Sequence, residues 1–174
     1  MYTKDPVWLY PEAIVLMYKD FCFKNNITER KLRTLVDAFL LRGRSNRNTK
    51  KVEILQESFE VLQAHIIYNY EMKTCKNKEM VIRPVYMKYK YQVYYDSNHS
   101  WYTPKEVIEN YPFFKMEQNY TTNFIGDLVE IGMITGKYVT SERCFYILIP
   151  SIVWLIKYHE YTVSQYLFFP PQNP

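Results

Sequence analysis

The chain has 174 residues, of which 48 % are hydrophobic and 23 % charged, with a formal net charge of +4. That length suits one ordinary domain or two small ones with a packed core. Four glycines speak against long flexible linkers, and Cys22, Cys75 and Cys144 are too scattered for a disulfide framework or a zinc site. No apolar run approaches the length of a membrane span. The first residues, MYTKDPVWLYPE, lack the basic start and apolar run of a signal peptide, so a cytoplasmic protein is expected.

The small net charge hides an asymmetry. Residues 1–95 carry 17 Lys+Arg and 10 Asp+Glu, whereas residues 96–174 carry 5 and 8. A basic first half implies an anionic partner for that half.

Residues from Pro11 to about Lys24 read as a first helix, apolar on most sides. Thr28 then caps a second helix, in which Leu32, Leu35, Val36, Phe39 and Leu40 form a one-face stripe and Gly43 is the stop. Residues 42–51 follow with Arg42, Arg44, Arg47, Lys50 and Lys51 and no acid. Their Gly, Ser and Asn residues predict an exposed loop, either merely solvated or in contact with phosphates. From about Thr49 to Met72 the spacing of Val52, Leu55, Phe59, Leu62 and Ile66 predicts a third helix with a short heptad-like seam, able to pack on the first two or on a second copy.

A polar stretch, Lys73 to Glu79, marks the best place to divide the chain. Beyond it, residues 85–95 alternate Tyr and Val with Lys, which predicts a strand or a connector. One face would then carry Lys88 and Lys90 between tyrosines, a pattern that suits base stacking as well as plain solvation.

The clearest local signals lie between 101 and 160. Thr103-Pro104-Lys105-Glu106 is a capping box with proline at the first helical position, and Pro112 ends that helix. A helix is expected over 122–131, capped by Thr121 or Thr122 and closed by Gly132. Two β-prone runs, 134–139 and 143–149, flank a short polar turn and predict a hairpin. Pro150-Ser151 opens a last helix, and an aromatic, proline-rich tail closes the chain.

Helix, turn, helix, hairpin, helix in this order, on the residues YTPKEVIE, Gly132, Ile134-Thr135-Gly136 and IPSI, resembles the winged-helix modules of the MerR and excisionase type. The resemblance covers about a third of the chain. It departs from those modules in the segment Phe113 to Asn119, which is longer than their tight turn. The fold expected is mainly α with a small β component. A three-helix region (1–76) and a strand or connector (77–100) precede a winged-helix-like domain (101–174).

What the resemblance implies is non-enzymatic double-stranded DNA binding, as in excisionases and transcription regulators of phages and mobile elements. Helix 122–131 would face the major groove. Thr121, Thr122 and Asn123 would be the readers, and Lys115, Lys137 and Arg143 would touch phosphates beside the basic loop. Against this, helix 122–131 has no Lys or Arg and carries Asp127 and Glu130. The alternative is a winged-helix module reused for assembly. Its partner, or a second copy, would be held through the aromatic tail or helix 49–72. The residues hold no nucleophile elbow, phosphate loop or paired carboxylates, and no cofactor or metal is expected.

Overall fold

The computed structural model describes residues 5–77, 80–82, 84, 101–116 and 121–168. Among them the protein is mainly helical, with two three-stranded antiparallel sheets. It divides into two compact units, residues 1–64 with 159–174 and residues 65–158. The expected strand or connector at 85–95 lies outside the described residues, as does the end of the aromatic tail.

In the first unit, strand β1 (Trp8–Leu9) leads into helices α1 (Pro11–Met17), α2 (Lys19–Lys24) and α3 (Glu29–Asp37). Strands β2 (Gly43–Ser45) and β3 (Val52–Leu55) follow, and then helix α4 (Gln56–Thr74) begins. The sheet order is β1-β3-β2. Ile14, Leu32, Leu35, Leu40, Leu41, Ile54, Phe59 and Leu62 fill its core.

Three expectations are corrected here. The single helix over 11–24 breaks at Tyr18, which leaves helical geometry at φ −111° and ψ 39°. The stop after α3 is not Gly43. The helix ends at Asp37, the chain reverses through Phe39 at φ 57°, and Gly43 already lies in β2. The third helix starts at Gln56, because Val52–Leu55 forms the central strand of the sheet. Four residues of mostly apolar sequence satisfy a heptad seam and a strand equally well, and the partners β1 and β2 decide between them. The region is therefore not three helices alone.

The second unit repeats this order. Strand β4 (Trp101–Tyr102) precedes α5 (Pro104–Asn110), α6 (Pro112–Met116) and α7 (Thr122–Ile131). Strands β5 (Gly136–Val139) and β6 (Cys144–Leu148) form the hairpin, and α8 (Ile149–Phe168) starts directly after it. The sheet order is β4-β6-β5. The capping box is present in full, with Thr103 accepting from the Glu106 N–H and Glu106 accepting from the Thr103 N–H. Thr121 caps α7, and Gly132 ends it in the left-handed region at φ 86°. Val107, Phe114, Ile125, Leu128, Ile131, Met133, Ile147 and Ile152 form the core. Strand β4 had no counterpart in the sequence reading.

The two units share their internal geometry at positions 93 apart in the chain. Gly43 pairs with Ile54 across β2 and β3, and Gly136 pairs with Ile147 across β5 and β6. Thr28 caps α3 as Thr121 caps α7. The left-handed residues Phe39 and Lys50 match Gly132 and Arg143. The Arg42 N–H donates to Ser58 Oγ at 2.9 Å, and the Thr135 N–H donates to Ser151 Oγ at 3.0 Å.

Ser151 is fully buried, and its hydroxyl also donates to the Leu148 carbonyl. Ser151→Ala leaves the Thr135 N–H without its acceptor inside the protein, which is expected to cost about 1–3 kcal/mol. Ser58→Ala, at a half-buried position, is expected to cost less. Urea unfolding of both variants measures the difference.

Candidate nucleic-acid interface

The basic stretch 42–51 is built by a hairpin, and its five cations have different surroundings. Arg42 is only 5 % exposed, with its guanidinium 5.9 Å from the centre of the Trp8 ring. A side chain so placed has no access to a phosphate, so the expectation for Arg42 does not hold. Arg44 lies over the same ring at 4.3 Å and pairs with Glu53 at 2.7 Å. Its charge is neutralised at close range, and its planar fork suits both the carboxylate and the ring face.

Glu53 is buried and also accepts from the Asn46 amide at 2.8 Å. The Asn46 hydrogen bond holds its carboxyl below the usual range, burial opposes this, and Arg44 adds to the lowering.

Asn46 then organises the turn. Its side-chain oxygen accepts from the N–H groups of Asn48 and Thr49, and its carbonyl accepts from Lys50. Such local bonding is the usual work of asparagine in turns. It presents Arg47, Lys50 and Lys51 to solvent on a bonded frame. Lys51 reaches the Tyr10 ring at 5.7 Å. Among the described residues Arg47 and Lys50 make no ion pair.

Helix α3, in the same unit, carries Arg30, Lys31 and Arg33. Arg30 is exposed, and Arg33 is engaged by Glu12 at 3.2 Å and Glu29 at 3.9 Å. In the sequence this helix reads only as an amphipathic helix packed through Leu32, Leu35 and Val36. The signal that finds it is the constant spacing of Trp8 and Trp101, Pro11 and Pro104, Thr28 and Thr121, and Gly43 and Gly136.

In the second unit Thr121, Thr122 and Asn123 are all exposed at the start of α7. The Thr121 hydroxyl is occupied as a cap, accepting from the Phe124 N–H at 3.2 Å. Thr122 and Asn123 are the outward pair. Lys115 is exposed on α6. Lys137 is exposed on β5 and lies 4.4 Å from the Trp101 ring centre, the position that Arg44 and Trp8 take in the first unit. Arg143 is exposed at the hairpin turn with φ 51°. Beside it the Tyr146 hydroxyl donates to the Glu142 carboxylate, and this bond pushes the phenol up to about 12.

The chemistry here is that of exposed cations and amides on helices and hairpins. Among the described residues no group of His, Cys, Asp and Glu has the geometry to hold a metal. His65 and His159 are buried, and His99 lies outside the described residues. Cys22 is buried, which pushes its thiol up to about 11. Among the described residues no helix is long and apolar enough to cross a membrane.

Comparison with protein-family models, curated proteins and solved structures returns no match. The functional reading therefore rests on the chain's own residues.

Proposed function

We propose that this chain is a non-enzymatic DNA-binding protein of the excisionase or transcription-regulator type, built on a winged-helix-like module. Helix α7 faces the major groove, with Thr122 and Asn123 toward base edges. The turn at 46–51 lies on the phosphate backbone, and Lys115, Lys137 and Arg143 add contacts. The observation that carries this reading is the exposure of Thr122 and Asn123 at the start of a ten-residue helix that leads into a hairpin. An asparagine so placed pairs bidentately with adenine.

The second reading is an assembly module, a phage or mobile-element protein that reuses the fold. It is favoured by one observation, the absence of Lys and Arg from α7, which carries Asp127 and Glu130. Salt separates the two. For a protein neutralising about five phosphates, affinity for a random duplex is expected to fall by about 10²–10³ between roughly 50 and 200 mM salt. Fluorescence anisotropy over that range measures it. No binding at the lower salt, with a stable oligomer in sedimentation, is the result that selects assembly.

A further inference from the structure

The first unit has the helix and the hairpin that the second unit brings to the proposed site. Helix α3 stands where α7 stands in the chain order, capped by Thr28 as α7 is by Thr121. The β2–β3 hairpin stands where β5–β6 stands. In both, a valine of the helix meets a glycine of the hairpin, Val36 at Gly43 and Val129 at Gly136. In both, a serine at the start of the following helix accepts from the residue just before that glycine. In both, a cation from the hairpin covers the tryptophan of the first strand. So many unrelated constraints at one constant spacing are not produced by a shared helix–hairpin order alone.

The two differ in charge. Residues 28–51 hold eight Lys+Arg and two Asp+Glu, whereas residues 121–144 hold two and three. Arg30 occupies the position of Asn123, Arg47 that of Thr140 and Lys50 that of Arg143. Binding to duplex DNA draws its strength from phosphate neutralisation. The Asn46 frame fixes the turn before binding, so little ordering cost falls on Arg47 and Lys50.

We infer that the chain contains one module twice, and that helix α3 with the β2–β3 turn, through Arg30, Arg47 and Lys50, makes its main contact with duplex DNA. This rests on the DNA-binding reading above and moves its centre from α7 to α3. Arg30 is the residue that faces the groove, where an arginine fork fits a guanine edge. The second copy, poor in cations, supplies the weaker contact and the adenine preference of Asn123.

The test is binding of the full chain to a 30-base-pair random duplex by anisotropy across a salt series, with folding of each variant checked by circular dichroism. All three arginine and lysine positions are exposed, so the substitutions leave the core intact. Arg30→Gln, which removes a base-edge contact, is expected to weaken binding to guanine-containing sites by about ten- to a hundredfold with little change in slope, and R47Q/K50Q to reduce the slope of log affinity against log salt by about two. K115Q/K137Q/R143Q is expected to reduce it by less. Selection from a random duplex pool should enrich guanine-containing sites for the unaltered chain, and this preference should be lost in R30Q. Binding by the unaltered chain whose slope survives R47Q/K50Q or falls more in K115Q/K137Q/R143Q, or whose guanine preference survives R30Q, overturns the inference while the DNA reading stands. Failure of the unaltered chain to bind at low salt removes both. Tighter binding to anionic vesicles than to the duplex also overturns the inference.

Discussion

Gly43→Ala is expected to destabilise the protein by about 1–3 kcal/mol through overpacking, with no change in charge or hydrogen bonding. A β-carbon there would lie 2.4 Å from one methyl of Val36 and 2.9 Å from the other, with the Glu53 carbonyl at 3.3 Å. Valine has a single strongly preferred side-chain rotamer in a helix, so it cannot swing aside at low cost. Gly136→Ala is expected to behave in the same way against Val129, whose methyls lie at 2.7 and 3.0 Å.

The cycle with Val36→Ala identifies the cause. Truncating the valine makes room, so the double variant is expected to be more stable than the sum of the two single effects predicts. Additive effects in urea unfolding would show that Gly43 is needed for some other reason.

His65 gives a second large effect, visible only as a function of pH. The side chain is fully buried, with Nε2 3.1 Å from the Met133 carbonyl and its ring 4.9 Å from that of Tyr158. Burial lowers its pKa to about 4, and the hydrogen bond to the carbonyl only partly opposes this. The unfolded chain, near the ordinary value of about 6.5, binds a proton that the folded chain refuses. The folded pKa is therefore depressed. The contribution to stability is full above about pH 6.5 and is lost as the pH falls toward 4. Across that window the loss is expected to reach roughly 3 kcal/mol. Denaturant unfolding between pH 4 and 7.5 measures it. His65→Gln, which can still donate to Met133 but does not titrate, is expected to flatten the profile in that interval. An unchanged profile would assign the pH dependence to other groups.

The parts of the fold that were legible in the sequence are those set by local chemistry. Thr103 and Glu106 bond within one turn, and Gly132 must take a left-handed conformation that other residues resist. Each states an element's boundary with no help from the rest of the chain. The first half misled because its signals depend on partners. Val52 and Leu55 fit a helical seam until β1 and β2 are in place beside them. Gly43 looks like a helix stop, yet it is a glycine because Val36 lies against it. Arg42 and Arg44 look like their neighbours Arg47 and Lys50, yet Trp8, some 35 residues earlier, covers the first two.

The candidate site divides in the same way. Thr122 and Asn123 could be named from the cap at Thr121 alone. Arg30 could not, since nothing near it distinguishes an exposed helix from one that meets a partner.

The sequence by itself determined where α5 and α7 begin and end, that a hairpin follows α7, and that the positive charge lies in the first half, because caps, turns and charge are local properties. Only the tertiary structure decided that the first half holds its own sheet, which arginines stay at the surface, and that the two halves are built alike. Those depend on strand partners and buried neighbours far away in the chain. A resemblance carried by a few fixed positions in each half becomes visible once the same hydrogen bonds and close contacts stand at both.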